Sequence, residues 1–178
     1  MKGIIFNMFN DIIVTRFDEQ TWDELLENAR VSGAYSSLGN YDDHDMFALV
    51  SAASDQLAIT PHDCLEWLGR EMLPRLDGFY PGMLGRFSST FSMLKALNNV
   101  IHPEVVRFHP DAIVPVFHYH EVTSHGMVME YCSSRGVCGL AHGLMLGCSD
   151  YFNETVDIDH FACRHRGDKH CLFRITRR

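Results

Sequence analysis

The chain has 178 residues, 46% hydrophobic and 11% aromatic, which suits one folded domain or two tightly joined lobes and excludes a disordered segment. Its 15 basic and 23 acidic residues give a net charge of −8, which argues against nucleic acid as a partner, because that affinity comes from neutralising phosphates. No segment approaches the roughly 20 apolar residues of a membrane span, and Asn10 and Asp11 interrupt the first apolar stretch before any leader-like run can form, so no membrane partner and a cytoplasmic location are expected.

In chain order, Ile4, Ile5, Met8, Phe9, Ile12 and Ile13 form one apolar helical stripe. Thr21 with Glu24 three residues on reads as a capping box, opening a second helix that carries Leu25 and Leu26. Ser36 to Tyr41 reads as a loop, and Asp42 caps a third helix with Met46, Leu49 and Val50 on one face. Thr60-Pro61 opens a fourth, with Pro61 at the first helical position. Glycine and proline break the pattern over 78–85, and Met83 to Ile101 then carries helical spacing through Phe87, Phe91, Leu94 and Leu97. Beyond residue 110 the period changes. Residues 112–119 and 126–132 read as strands about a turn at 120–125, and Gly139 to Phe152 as a helix despite glycines 139, 143 and 147. Residues 154–163 and 171–176 read as two more strands, joined by a turn at Arg166-Gly167-Asp168. Helices first, then strands enclosing one long helix, make an α+β arrangement.

Three constellations carry chemistry. Pro103 disfavours helical geometry in the residue before it and favours the start of a helix, so His102 is expected at a helix boundary with its imidazole clear of the regular ladder. A neutral imidazole so placed can bind iron through one nitrogen. The ordinary alternative is a capping or surface histidine, and His109-Pro110 repeats the dipeptide. Tyr131, Ser133 and Arg135 alternate at a strand end, so two hydroxyls and a guanidinium converge. Such a set suits a cofactor with two carboxylates; the alternative is a polar strand end facing water. Cys138, His160, Cys163 and Cys171 make a Cys3His set suited to tetrahedral zinc. The alternative is buried free thiols, and His165 and His170 are competing ligands. Phosphate-cradling loops, nucleophile elbows and HExxH are missing, so the chain does not read as an enzyme.

On these residues the sequence resembles the H-NOX family, the heme-nitric oxide/oxygen binding domains related to the sensor domain of soluble guanylate cyclase. Met-Lys-Gly-Ile-Ile-Phe-Asn resembles the family's start, Ile101-His102-Pro103-Glu104-Val105 its proximal-histidine region, and Tyr131-x-Ser133-x-Arg135 its propionate-binding motif. Pro115 falls where the family has a proline that presses on heme, and Ile5 where an apolar residue packs on the distal face. Cys138, His160, Cys163 and Cys171 resemble a zinc site of some bacterial members. The resemblance covers the whole chain. It implies a helical N-terminal lobe (1–60, distal) and a C-terminal lobe (61–178, proximal) with helices and a four-stranded antiparallel sheet. It further implies heme b between the lobes on His102, and a zinc that is structural or redox-responsive.

It also implies a signal: nitric oxide at ferrous heme weakens the iron–His102 bond, the heme relaxes, and the lobes shift. Oxygen-binding members place a distal tyrosine shortly after the propionate motif, whereas Leu140 takes that place here. Nitric oxide and carbon monoxide are therefore the expected ligands, with little oxygen binding, unless His142 turns a donor into the pocket. Stand-alone bacterial relatives imply a histidine kinase or a cyclic-di-GMP enzyme as a partner in trans. A zinc-thiol redox sensor in which heme is secondary is the alternative function; a heme enzyme lacks a distal acid–base pair.

Overall fold

The computed structural model describes residues 1–178. Seven α-helices and a four-stranded sheet give the α+β class that the change of period implied. Helix α1 (Gly3–Arg16) buries Phe6, Phe9, Ile12 and Ile13 in the larger core. Helix α2 (Glu19–Ala29) starts three residues before the expected capping box. Asp18 is its N-cap and accepts the Thr21 N–H at 2.7 Å, so Thr21 lies inside the first turn. An ionised carboxylate at the helix start also complements the macrodipole, which a threonine hydroxyl cannot do. Helix α3 (Asp43–Leu57) is capped by Asp42, and α4 (Pro61–Phe79) by Thr60 with Pro61 in its first turn, both as the residue types require.

The single helix expected over 83–101 is broken. A 3-10 turn at Leu84–Arg86 is followed by extended Phe87, and α5 (Thr90–Lys95) restarts under a Ser89–Ser92 capping box. A π-helical turn, Leu97–Ile101, then runs directly into α6 (His102–Phe108). His102 itself is helical, at φ −64° and ψ −42°, so Pro103 does not force it out of helical geometry. The wide π turn ahead of it takes up the disruption: the His102 N–H donates to the Leu97 carbonyl five residues back.

The sheet runs β1 (Val116–His120), β2 (Gly126–Cys132), β3 (Val156–Ala162) and β4 (Cys171–Arg177), in spatial order β1-β2-β4-β3 with every pair antiparallel. Strand β1 begins four residues later than the sequence pattern suggested, because Pro115 has no N–H to place in a ladder. Helix α7 (Cys138–Tyr151) crosses the sheet and lies against α4. The glycines that weaken α7 as an isolated helix are what let it pack. A Cβ on Gly143 would lie 1.8 Å from the Glu66 carbonyl oxygen, one on Gly147 2.8 Å from that of Arg70, and one on Gly69 2.3 Å from that of Leu140. The two backbones touch along this stripe. A second, smaller core joins Phe117, Met129, Tyr131, Met145, Phe173 and Ile175 between sheet and α7.

Candidate heme and metal sites

Between the two cores lies an apolar cavity with an empty volume of about 1380 Å³, its open mouth included. Ile4, Ile5 and Met8 of α1 line one side, and Leu140, Leu144 and Met145 of α7 another. His102, Ile101 and Val105 enter from α6 and its π turn, and Val114, Pro115 and Phe117 from the approach to β1. Every residue that the sequence singled out for heme—Ile5, His102, Pro115, Tyr131, Ser133, Arg135 and Leu140—lines this one space.

His102 is a buried side chain on the cavity wall. Its ring stacks on Phe117 at a centroid distance of 6.0 Å, and its Nδ1 is buried with no hydrogen-bond partner. Burial pushes its pKa down to about 4, against the opposing pull of the Pro115 carbonyl, so the imidazole is neutral and keeps a lone pair at ordinary pH. Asn98, in the π turn, fixes this helix to the sheet edge. Its amide donates to the Phe117 carbonyl at 2.6 Å and accepts the Phe117 N–H at 3.0 Å.

The polar wall is Tyr131, Ser133 and Arg135. The Tyr131 hydroxyl is buried and unpartnered, which costs about 1–3 kcal/mol unless a guest accepts its hydrogen bond. Ser133 Oγ accepts the Arg135 N–H at 3.2 Å. Arg135 donates from Nε to Asp43 at 2.8 Å and from Nη1 to the Ile113 carbonyl at 2.6 Å, leaving Nη2 without a protein partner. A buried imidazole and an unpartnered phenol lining one apolar cavity fit heme: the histidine would hold iron, and the polar wall would hold propionates. Tyr80, at the end of α4, also lines the cavity and packs on Phe108 and His109. Sequence reading passed over it because it sits in a stretch read only as a helix break. His142 does not line the cavity; its Nε2 lies 3.1 Å from the Ile158 carbonyl, and its Nδ1 2.7 Å from Glu66.

The Cys3His residues converge as well. One ligand atom from each of Cys138, His160, Cys163 and Cys171 lies within 4.8 Å of the others, and all four residues are buried. The Sγ atoms of Cys138 and Cys163 are 3.7 Å apart, and the Arg164 N–H points to the Cys171 sulfur at 3.4 Å. Burial raises the pKa of the Cys138 and Cys171 thiols, so without a cation they stay protonated. Neither competitor joins them: His165 is held by the Gly136 carbonyl and His170 by Glu130.

A fold that encloses an apolar, histidine-bearing cavity between a helical layer and a four-stranded sheet defines a heme-pocket domain. Residues 2–160 match the Haem-NO-binding family model, and the chain belongs to this H-NOX family, whose members bind heme and serve as gas sensors. The fold is similar to that of an H-NOX protein from S. oneidensis in the Fe(II)NO state, with 27% identity and a TM-score of 0.93 over 100% of this chain and 99% of that one. The NMR structure of the Shewanella oneidensis SO2144 domain in the Fe(II)CO state gives 27% identity and 0.89 over 100% and 99%. Unliganded Fe(II) H-NOX from K. algicida gives 28% and 0.87 over 100% and 97%. No curated protein matches the sequence. No helix is long and apolar enough to cross a membrane.

Proposed function

We propose that the chain is a heme-based nitric oxide sensor in which His102 is the sole protein ligand to iron and which regulates a separate protein. The observation that carries this reading is the buried, neutral His102 imidazole, which lines one apolar cavity together with Tyr131, Ser133 and Arg135. When bound, heme b would supply the gas-binding metal, and His102 is the residue that would hold its iron. The chain does the rest. Tyr131, Ser133 and Arg135 would hold the heme carboxylates, Pro115 would pack against the heme ring, and Ile5 and Leu140 would exclude water.

Gas preference follows from the side chains near Leu140. Bound oxygen is polarised and gains from a hydrogen-bond donor, whereas nitric oxide and carbon monoxide need none. Leu140, Leu144 and Ile5 offer no donor, and His142 is turned away. Little oxygen binding is therefore expected. Output would come from a shift between the proposed distal (1–60) and proximal (61–178) lobes, driven by differential affinity for two arrangements. A histidine kinase or a cyclic-di-GMP enzyme acting in trans is the proposed partner class, and the chain itself is not catalytic.

The visible spectrum tests the assignment. Purified protein should show a Soret band that is lost or altered in His102→Ala and returns with added imidazole. A His102→Ala variant with unchanged spectrum and gas binding overturns the assignment, and a stable oxy spectrum in air overturns the gas preference. The buried Cys3His cluster favours a second reading, in which Cys138, His160, Cys163 and Cys171 bind zinc and thiol oxidation releases it as the primary signal. A colourless protein holding one zinc per chain would select that reading.

A further inference from the structure

We propose that His62, His142 and His160 form a second site, for a divalent ion of the zinc class, adjoining the Cys3His cluster and sharing His160 with it. The proposal is independent of the heme reading. One ring nitrogen from each of the three histidines lies within 4.8 Å of the other two. The rings of His62 and His160 stack at 5.5 Å, and those of His142 and His160 meet at 5.9 Å. Imidazole nitrogens suit zinc, copper and nickel. Metal–nitrogen bonds of about 2.0–2.1 Å would draw these ligands closer together, a movement within the reach of side-chain rotation.

The close approach of two helices builds this cluster. His62 and Glu66 are one turn apart on α4 and face the same way. Gly139 and Gly143 let α7 touch α4 at these same residues: a Cβ on Gly139 would meet the His62 carbonyl, and one on Gly143 that of Glu66. His142 therefore enters beside them, and His160 comes from β3.

Two features ask for a cation. His160 is only 8% exposed, and both of its ring nitrogens are buried without a partner. The thiolate site needs one nitrogen; for the other to bind a second ion, His160 gives up its ring N–H proton to solvent and bridges the two ions as an imidazolate. The second feature is His142. Its Nε2 lies 3.1 Å from the Ile158 carbonyl oxygen, and its buried Nδ1 lies 2.7 Å from a Glu66 carboxylate oxygen without hydrogen-bond geometry. A buried ring nitrogen and a carboxylate oxygen held this close call for a positive charge, a proton or a metal ion, between or beside them. A metal ion ligated by the histidines, with Glu66 as a further oxygen ligand, supplies that charge.

The test uses full-length, heme-loaded protein stripped of zinc by a chelator and titrated with zinc alone. Cys138→Ser/Cys163→Ser removes the thiolate site, and this variant should still retain one zinc per chain. Adding His62→Ala/His142→Ala should weaken that binding by more than the roughly 100-fold that loss of a second-shell partner costs. No zinc in the serine variant, the result expected of a simple His142–Glu66 ion pair, overturns the proposal, as does binding that the alanine pair leaves unchanged. Cobalt in the wild-type chain gives a second measurement if the serine variant fails to fold. A visible band from imidazole-bound cobalt should vanish in His62→Ala/His142→Ala while the thiolate charge-transfer band persists. An identical spectrum overturns the second site. Absence of the charge-transfer band overturns the thiolate site and leaves this one standing.

Discussion

Asp43 shows how one residue can serve both the stability of the fold and the edge of the cavity. It faces Arg135 at 2.8 Å and the Met1 ammonium at 2.7 Å, with its side chain one-third exposed. Burial alone would raise its pKa, but the Met1 ammonium and the Arg135 guanidinium outweigh burial and hold the carboxyl below the usual range. A carboxylate with a depressed pKa stabilises the fold above its ordinary value, and that contribution is lost as pH falls through the lower, folded value. Asp43→Asn should therefore cost about 1 kcal/mol at neutral pH, the upper end for a partly exposed pair, and the gap to wild type should close in acid. Denaturant titrations of both proteins from pH 7 down through the acid range measure this; a gap that stays constant to the lowest pH at which the fold survives would assign the effect to packing. At the residue scale, the sequence singled out His102, Tyr131, Ser133 and Arg135, and the fold brings them to one space. The Asp43–Arg135 pair was not, because 92 residues separate its members and no local pattern joins them.

Among the elements, the α4–α7 pair has the tightest fit. Gly143 is replaceable only by moving a backbone, since a Cβ there would lie 1.8 Å from the Glu66 carbonyl oxygen and 2.8 Å from the Arg70 nitrogen. Gly143→Ala should cost about 3 kcal/mol or more, a fall in Tm of about 6 °C or more for a chain of this length. Gly78, also in α4, has open space around it. Gly78→Ala should raise stability by about 0.5–1 kcal/mol. Calorimetry on the two variants checks the contrast, and equal shifts would mean that helix propensity alone is at work. The helix caps Asp42 and Thr60 and the whole of β2 were legible because their signals are local. The break within 83–101 was not, because apolar spacing continues across it while Ser89 restarts the helix through its own side chain. Propensity scored the glycines of α7 as a weakness. Their contribution is to contact with α4, and that becomes visible only when both helices are placed.

Across the whole molecule, the N-terminal helices and the sheet lobe meet over the cavity and along α4 and α7, while the Cys3His cluster gathers the start of α7 and the β3–β4 hairpin. Three of the proposed zinc ligands lie within twelve residues of this C-terminal hairpin. Removing zinc with a chelator should therefore loosen the hairpin first, with faster amide exchange in β3 and β4 than in α1 or α3. Uniform exchange after chelation would show that the hairpin does not depend on the ion. The α+β class and the order of its parts could be read from the change of period at residue 110. The depth of the pocket could not, because it is made by residues from α1, α4, α5, α6, β1 and α7 together.

The turn before His102 has a geometric consequence. A π turn holds about one residue more than an α turn, and each residue of an α-helix advances the chain by about 100° around its axis. Every side chain after Ile101 is thus rotated by that angle from where an unbroken helix would put it. The direction in which His102 points is set by this phase offset, and Asn98, bonded at both ends to Phe117, locks the offset against the edge of the sheet.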